Sequence, residues 1–485
     1  MKFTFKDKFA KDSLLIYPQF EGGSSSDKSL NRILATLKKS KEFEGKDGQT
    51  FFLYKPSKKL PSQVLLLGLG KDKFTVNGLM NAIGAGIKAA GKHHAAHVSI
   101  IFLKKFEDFA QEIGEACGLA NYNPARSYKT EKALEKLKNS VVHEVNFVGV
   151  DGAAVHVALE KGLTVSETVN TVRDWVNAPP NIAHAPFFDE KAREIAKESG
   201  AKLTILRKKE LEKLGMGLLL GVNRGSVEEA RLVILDYHPK GAPDEAPIVL
   251  AGKGILFDSG GYNLKPSGHI EDMQLDKAGA AAVLAVIKLL HTFGVKRHVI
   301  AIAPFTENLI GTTALKPSEI LTSYSGKTVE ITNTDAEGRL VLGDAVAYAV
   351  DQFKPRYLVD AATLTGACMV ALGEHYAGLF GNDKELIEKL RTAGDSVNEI
   401  LWPLPLDKDH TEKMKGEYAD LRNTEPDRLA GASKGAAFIQ EFVGKTKWAH
   451  LDIAGPAFTK EPKKYQSKGA TGFGVRVLLR FIENL

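Results

Sequence analysis

Short apolar runs that alternate with helical patterns constrain the fold of this chain more than any other feature. In the first 150 residues, the run 64–70 is typical of a buried strand, 76–91 of a helix and 97–103 of a second strand. Four more apolar runs alternate with helical stretches later in the chain. They lie at residues 231–237, 247–251, 299–305 and 357–362. Strands that are apolar throughout are buried on both faces, so the pattern predicts an α/β fold with a mainly buried mixed sheet.

The length of 485 residues is too great for one hydrophobic core, so we expect a small N-terminal and a larger C-terminal domain. Helical apolar spacing from Thr164 to Val176 stops before Pro179-Pro180, because a residue that precedes proline disfavours the α region. We therefore predict an N-terminal α/β domain over residues 1–160, a linker helix with the Pro-Pro junction over 161–180, and a larger α/β domain over 181–485.

Cysteine content and charge exclude several classes of protein. Cys117 and Cys368 are too few for a disulfide framework or a thiolate metal site. No apolar run approaches the roughly 20 residues of a membrane span, and the N-terminus has no signal-peptide core, so we expect a cytoplasmic protein. The net charge of +6 is too small to indicate a nucleic-acid-binding protein, although it does not exclude one.

Two other patterns imitate known sites. Gly84-Ala85-Gly86 resembles a dinucleotide fingerprint, but it lies inside a helical pattern where the fingerprint needs a strand-to-helix turn, so we predict helix packing by small residues. His93, His94 and His97 have spacings compatible with a metal site, yet no carboxylate lies near them in the sequence. An exposed loop is the better interpretation.

The run Asp258-Ser259-Gly260-Gly261 looks like the nucleophile segment of trypsin-type serine proteases. That nucleophile belongs to a β-barrel with its histidine and aspartate upstream, whereas this run follows an apolar strand in an α/β pattern. The same four residues also form a good turn. A serine hydrolase that uses Ser259 is therefore the alternative enzyme class.

Five potential metal ligands follow strand-like runs, where open α/β sheets build their sites. They are Lys253, Asp258, Asp276, Asp335 and Glu337. Taken singly, three of them have structural explanations, since Asp276 could cap a helix and Asp335 and Glu337 could belong to a turn and a first helical turn. Taken together, four carboxylates repel one another unless divalent cations neutralise them, and oxygen ligands suit Zn²⁺, Mn²⁺ or Mg²⁺.

The octapeptide at residues 333–340, NTDAEGRL, matches the signature of the leucyl aminopeptidase (cytosol aminopeptidase) family at every position. Further blocks resemble that family at 252–266, 360–368, 371–382, 402–406, 448–458 and 469–476. The resemblance runs from Val172 to the C-terminus, whereas the first 160 residues are similar only in their βαβ pattern and at residues 68–71. It implies a two-metal exopeptidase that releases N-terminal amino acids, leucine among them, with residues 181–485 as the catalytic domain.

The resemblance also implies roles for the five ligands. Lys253, Asp258, Asp276 and Glu337 resemble the ligands of the more tightly held ion, and Asp258, Asp335 and Glu337 those of the exchangeable ion. A lysine ligand must be neutral, and an adjacent dication together with burial favours loss of its proton. The two ions would activate a water molecule and polarise the scissile carbonyl.

Lys265 and Arg339 resemble the catalytic pair of the family. Lys265 would stabilise the oxyanion, and Arg339 would hold a bicarbonate ion that acts as the general base. The resemblance further implies a homohexamer, peptide substrates with a free N-terminus, and, as an alternative from another class, a DNA-binding regulatory role. Two departures flank the ligands: Tyr262-Asn263-Leu264 replaces a smaller stretch, and Lys277 stands where methionine is common.

Overall fold

The computed structural model describes residues 1–10, 12–71, 75–124, 128–138, 140–427, 429–462 and 464–485. The chain divides into two compact units. The first comprises Met1–Asn170 and Lys460–Gly469, and the second comprises Thr171–Thr459 and Ala470–Leu485. Within the described ranges, no helix is both long enough and apolar enough to cross a membrane.

The first unit alternates strands and helices as the apolar pattern predicts. Its elements are β1 (Lys2–Thr4), β2 (Leu14–Gln19), α1 (Lys28–Ser40), β3 (Thr50–Tyr54), β4 (Gln63–Gly68), α2 (Val76–Lys92), β5 (His97–Ile101), α3 (Ala110–Ala120), α4 (Glu131–Lys138), β6 (Glu144–Val148) and α5 (Ala153–Asn177), whose last turns belong to the second unit. The sheet order is β1-β6-β5-β2-β4-β3, and all neighbours are parallel except β3 against β4.

Close packing explains the glycines of α2. A Cβ on Gly84 would lie 2.4 Å from the Cβ of Tyr465, and one on Gly86 would lie 3.3 Å from methyl groups of Ile16 and Leu67. Both distances are too short for comfortable van der Waals contact. The predicted packing by small residues is therefore correct, and this Gly-Ala-Gly segment is not a strand-to-helix turn.

The second unit contains the larger sheet. Its helices are α6 (Ala185–Ser199), α7 (Lys208–Lys213), α8 (Gly217–Asn223), α9 (Ala278–Thr292), α10 (Gly338–Phe353), α11 (Gly366–Leu372), α12 (Lys384–Val397), α13 (Lys408–Glu412), α14 (Gly431–Gln440) and α15 (Val475–Glu483). Its strands are β7 (Lys202–Leu206), β8 (Arg231–Tyr237), β9 (Ile248–Gly252), β10 (Gly254–Asp258), β11 (Val299–Asn308), β12 (Ile320–Thr322), β13 (Thr328–Glu330), β14 (Tyr357–Ala362), β15 (Ala377–Gly381), β16 (Leu401–Pro403), β17 (Leu421–Arg422), β18 (Trp448–Asp452), β19 (Phe458–Thr459) and β20 (Gly469–Ala470), with Gly469 in the first unit.

Four parallel strands, in the order β18-β14-β9-β11, form the centre of this sheet. Strand β15 pairs antiparallel with β18 at one side, and β8 pairs antiparallel with β11 at the other, so the sheet is mixed as predicted. Nearly every residue of the four central strands is buried, because helices cover both faces. The short strand β10 pairs in parallel with β11 and carries the chain toward the carboxyl edge of the sheet.

Candidate metal centre

The carboxyl edge of the central sheet gathers the polar residues that follow each strand. Lys253 follows β9, Asp258 ends β10, Asn308 ends β11 and Thr363 follows β14. Parallel strands bring these positions together although they are far apart in the chain. Asp276 reaches the same edge from a 3₁₀ turn, Met273–Lys277, that leads directly into α9.

The Lys253 ammonium lies among oxygen atoms at the buried end of this group. Its Nζ lies 2.8 Å from Asp276 Oδ1, 2.7 Å from Asp276 Oδ2, 2.9 Å from Glu337 Oε1 and 2.9 Å from the Thr363 carbonyl oxygen. Lys253, Asp276 and Glu337 are each at most 3% exposed. The Thr363 hydroxyl also donates to Asp276 Oδ1 at 2.6 Å, so the aspartate is held from two sides.

Lys265 occupies the more open end. Its Nζ lies 2.8 Å from Asp258 Oδ2 and 2.5 Å from Asp335 Oδ1. Asp258 is buried, whereas the Asp335 side chain is 31% exposed. Each lysine therefore bridges a different pair of carboxylates.

Oxygen atoms of Asp258, Asp335 and Glu337 lie within 4.8 Å of one another, close enough for one metal ion to contact all three. Asp276 Oδ2 is buried and lies 2.7 Å from Lys253 Nζ, but it makes no well-aligned hydrogen bond with the described residues, so it keeps a lone pair for a ligand. Four carboxylates against two ammonium groups leave a formal excess of two negative charges in a largely buried cluster. The donor set and its charge fit divalent cations.

Burial and mutual repulsion raise the pKa of three of the four carboxylates, which favours their neutralisation. Burial raises the pKa of Asp276 to about 8, against the opposing charge of Lys253, and raises that of Asp335 to about 6. Burial and the charge of Glu337 also raise the pKa of Asp258. For Glu337 burial acts in the same direction, but the two lysines outweigh it and lower the pKa. A cluster that holds protons so readily is one that a dication would stabilise.

Arg339 is the second residue of α10 and is buried. Its NH1 group donates to the Asn423 carbonyl oxygen at 2.8 Å, while its Nε is buried without a hydrogen-bond partner among the described residues. Burial lowers its pKa to about 10, which leaves it a cation at neutral pH. A Cβ on Gly435 of α14 would lie 3.3 Å from the guanidinium, so a glycine there leaves room for Arg339.

The glycine in the signature octapeptide has a steric reason. A Cβ on Gly338 would lie 2.5 Å from Cε and 2.7 Å from Nζ of Lys253. In the turn after β10, Gly260 and Gly261 adopt positive φ angles of 86° and 63°. These conformations are open to glycine at little cost, so the Asp-Ser-Gly-Gly run is the turn that its composition indicates.

The Ser259 hydroxyl bonds to main-chain groups and not to a side chain that could act as a base. Its hydroxyl donates to the Asn308 carbonyl oxygen at 2.8 Å and accepts from the Gly261 amide at 3.2 Å. A serine nucleophile requires a base on its hydroxyl, and both of these contacts are to the main chain. The structure therefore gives the serine hydrolase alternative no support.

The three N-terminal histidines are exposed as predicted, but the loop is shorter than predicted, because His97 is the first residue of β5. His93, His94 and His97 are exposed, and the His93 ring stacks on Phe52 with centroids 4.2 Å apart. Among the described residues, the acidic group at the sheet edge is the one whose spacing suits a metal.

Of the single-residue explanations of the candidate ligands, the turn at Asp335 and the position of Glu337 at the start of a helix are confirmed, and the cap at Asp276 is wrong. Asp276 does not cap α9, whose N-cap residue is Lys277 without a side-chain cap, and Glu337 stands at the N-cap position of α10 without capping it. Sequence reasoning missed Asn308 and Thr363, whose side chains bond to ligand carboxylates. The sequence does contain a pattern that could have identified them, because each is a polar residue at the end of a strongly apolar run.

Known proteins resemble the chain over nearly its whole length. The cytosol aminopeptidase family, catalytic domain, matches residues 170–479, and the N-terminal domain of the same family matches residues 18–132. A probable cytosol aminopeptidase of Geobacter sp. (strain M21) is 38% identical over 459 residues, which cover 94% of this chain and 92% of the relative. One from Brucella melitensis biotype 1 is 42% identical over 378 residues, which cover 78% and 77%. The solved structure of the bottromycin maturation enzyme BotP in complex with Mn is similar with a TM-score of 0.86 and 30% identity, covering 98% of this chain and 99% of that chain.

Proposed function

The chain belongs to the cytosol aminopeptidase family, and from that premise we propose that its carboxylate cluster binds two divalent ions that act together in releasing N-terminal residues from peptides. Family membership makes the protein an aminopeptidase and a metal-dependent hydrolase of peptides. The observation that carries the finer proposal is the buried group of four carboxylates and two lysines at the carboxyl edge of the sheet.

We assign the ligands as the resemblance implies. Lys253, Asp258, Asp276 and Glu337 hold one ion, and Asp258, Asp335 and Glu337 hold the other. The burial of Lys253, Asp276 and Glu337 supports the tighter of the two sites, and the partly exposed Asp335 supports the exchangeable one. In the cluster as it stands, burial opposes a charge on Lys253, but the neighbouring carboxylates outweigh it and raise the amine pKa, so a dication would have to displace that proton.

When bound, the ions would supply an activated water molecule and polarise the scissile carbonyl. The protein's own residues orient the substrate around that chemistry. Lys265 reaches between Asp258 and Asp335, so its ammonium is placed to stabilise negative charge that develops on the carbonyl oxygen. Burial opposes this charge too, yet the surrounding carboxylates raise the pKa of Lys265 and keep it protonated.

Arg339 is the residue we propose for holding a bicarbonate ion as general base. Its buried Nε is free to donate to an anion, and its NH1 bond to Asn423 fixes the guanidinium plane. A planar carboxylate-like anion suits two parallel N–H donors of such a group. This role rests on the resemblance and on the unused Nε donor.

The proposed ligands are carboxylate oxygens with one amine, a set that suits Zn²⁺ or Mn²⁺. Mg²⁺ is a further candidate. The BotP relative was solved in complex with Mn. We therefore propose Mn²⁺ as the first ion to test.

Other properties are proposed from the resemblance alone. We propose a homohexamer located in the cytoplasm, with residues 181–485 as the catalytic domain and leucine among the preferred first residues. The alternative of a DNA-binding role predicts salt-sensitive binding that survives loss of the metal ligands.

The decisive experiment blocks the substrate amine. A neutral α-amine can coordinate a metal and fix the first peptide bond beside the activated water, whereas an acetylated nitrogen is a poor donor. Leucine amide should be hydrolysed and N-acetyl-leucine amide should not, and longer peptides should lose residues one at a time from the N-terminus. A chelator should abolish the reaction, while a serine-acylating reagent should not. Internal fragments in a timed mass-spectrometric digest, or equal cleavage of the blocked amide, would contradict the proposal.

A further inference from the structure

Asn308 is a buried amide at the metal centre that lies outside the proposed ligand set. It is the last residue of β11 and is only 3% exposed. Its side-chain nitrogen lies 2.8 Å from Asp258 Oδ1, 3.1 Å from the Thr334 carbonyl oxygen and 3.5 Å from Glu337 Oε2. These oxygen atoms surround a single NH₂ group.

The chemistry of the contacts fixes which way the amide faces. An amide nitrogen has two hydrogens, so the two shorter contacts take both of them, and Glu337 lies at the limit of hydrogen bonding. The opposite orientation would turn the amide oxygen toward two carboxylates and a carbonyl, which is repulsive. Asn308 is thus a donor to Asp258 and an electrostatic neighbour of Glu337.

The backbone of Asn308 is fixed by the turn that carries Asp258. Its carbonyl oxygen accepts hydrogen bonds from the Ser259 amide at 2.9 Å and the Ser259 hydroxyl at 2.8 Å. Asp258 and Asn308 are register partners of β10 and β11, and the register shifts between Ile255 and Asp258. This irregularity sets the aspartate opposite the asparagine.

A glycine at position 261 leaves room for the Asn308 side chain. A Cβ on Gly261 would lie 3.1 Å from Asn308 Oδ1 and 3.0 Å from the Thr334 hydroxyl. Main-chain bonds, strand register and the hydrogen bonds to Asp258 and to the Thr334 carbonyl oxygen hold the NH₂ group where it is.

We propose that Asn308 is a positioning residue that orients Asp258 through a hydrogen bond and faces Glu337 electrostatically, these being the two carboxylates shared by both metal ions. This inference rests on the ligand set proposed above. Because both ions share these carboxylates, their orientation affects both sites and the spacing between the ions. A residue that only ended the strand would affect stability without affecting the ions.

The test compares Asn308→Asp and Asn308→Ala with Asn223→Asp. Asn223 is a suitable control because its buried amide donates to the Glu228 carbonyl oxygen and the Thr306 hydroxyl, and not to any proposed ligand. Mn²⁺ binding is measured by calorimetric titration of the chelator-treated full-length protein. The electron paramagnetic resonance signal of a coupled Mn²⁺ pair reports the spacing of the ions. Asn308→Ala introduces no charge, so it still allows the proposal to be tested if Asn308→Asp does not fold.

Asn308→Ala should bind Mn²⁺ about 10–100-fold more weakly, the usual effect of removing a hydrogen-bond partner of a metal ligand. Both Asn308 variants should lose or alter the coupled signal, whereas the added carboxylate of Asn308→Asp attracts a dication and offsets part of the loss of affinity. Asn223→Asp should keep the affinity and the signal even if its melting temperature falls. Wild-type affinity and signal in the Asn308 variants, with metal loss in Asp276→Ala, would overturn the positioning role alone. Wild-type Mn²⁺ binding in Asp276→Ala as well would overturn the ligand set itself.

Discussion

Replacement of Gly338 by alanine tests whether the signature octapeptide is shaped by the packing of Lys253. The added Cβ would lie 2.5 Å from Lys253 Cε, while ordinary van der Waals contacts begin at 3.4 Å, so the lysine would have to move by about 0.9 Å. Its Nζ is held by Asp276 and Glu337 at 2.7–2.9 Å, so such a shift strains or breaks these bonds. Alanine would stabilise the helix itself by about 1 kcal/mol, which opposes the effect of the clash.

The sizes of these effects decide whether Gly338→Ala raises or lowers the free energy of unfolding. Overpacking costs about 1–3 kcal/mol and the loss of a hydrogen bond to a charged group about 1.5–3 kcal/mol. After the helical gain, Gly338→Ala should lower the free energy of unfolding by about 1.5–5 kcal/mol. It should also weaken metal binding at the Lys253 site by about 10–100-fold.

The assay is urea unfolding in the presence of chelator, followed by Mn²⁺ titration of the folded protein. Gly343→Ala is the matched control on the same helix, since its Cβ would lie 3.2 Å from the Phe442 ring and 3.3 Å from a Leu218 methyl group, both of which can yield slightly. The control should change stability by no more than about 1 kcal/mol and leave metal binding unaltered. A Gly338→Ala protein that is as stable as the wild type and binds Mn²⁺ equally well would refute the reasoning.

Three further predictions separate ligands, catalysts and structural pairs. Asp276→Ala should lose metal by elemental analysis and lose activity, whereas Arg339→Ala should keep its metals and turn over about 10–10³-fold more slowly; the reverse pattern would contradict the assignment. Ser259→Ala should keep most of its activity on leucine amide, because the Ser259 hydroxyl bonds only to the main chain. If Ser259 were the nucleophile, the same change would slow turnover on the order of 10⁶-fold. Asp360→Asn should destabilise the protein most at low pH: burial opposes a charge on His450, but the Asp360 carboxylate 2.6 Å away raises the imidazole pKa above its ordinary 6.5. The stabilisation from this buried pair is complete below about pH 6.5 and is lost as the pH rises through the folded-state pKa. The cost measured by chemical unfolding should therefore be about 3–5 kcal/mol at pH 6 and smaller at alkaline pH; a cost that does not change with pH would contradict a charged pair.

The α/β class and several of the central strands and helices were predicted from the sequence alone. The apolar runs at residues 231–237 and 357–362 coincide with β8 and β14, and the helical stretch from residue 278 begins where α9 begins. These patterns are local, because burial of a strand or of one helical face imposes a period that neighbouring residues carry. Element boundaries were less certain, since α5 begins at Ala153, well before the predicted start at Thr164.

The sequence also predicted the candidate ligands. Four carboxylates and a lysine follow strand-like runs, and they lie in segments that resemble one family. Which of these residues meet was decided by the tertiary structure. Lys253 contacts Asp276 and Glu337, and Lys265 contacts Asp258 and Asp335, across separations that no periodic pattern records.

The roles of Asn308 and Gly338 could be recognised only in the folded protein. The Asn308 amide faces two carboxylates because β10 and β11 pair with a shifted register. Gly338 is needed because Lys253, the residue after β9, passes over the first turn of α10. Strand register and helix placement are set by the whole core, so they are not encoded near either residue. The sequence by itself therefore determined the chemistry available at the sheet edge, and the tertiary structure decided its geometry, because distances between remote residues depend on packing that is shared by the entire unit.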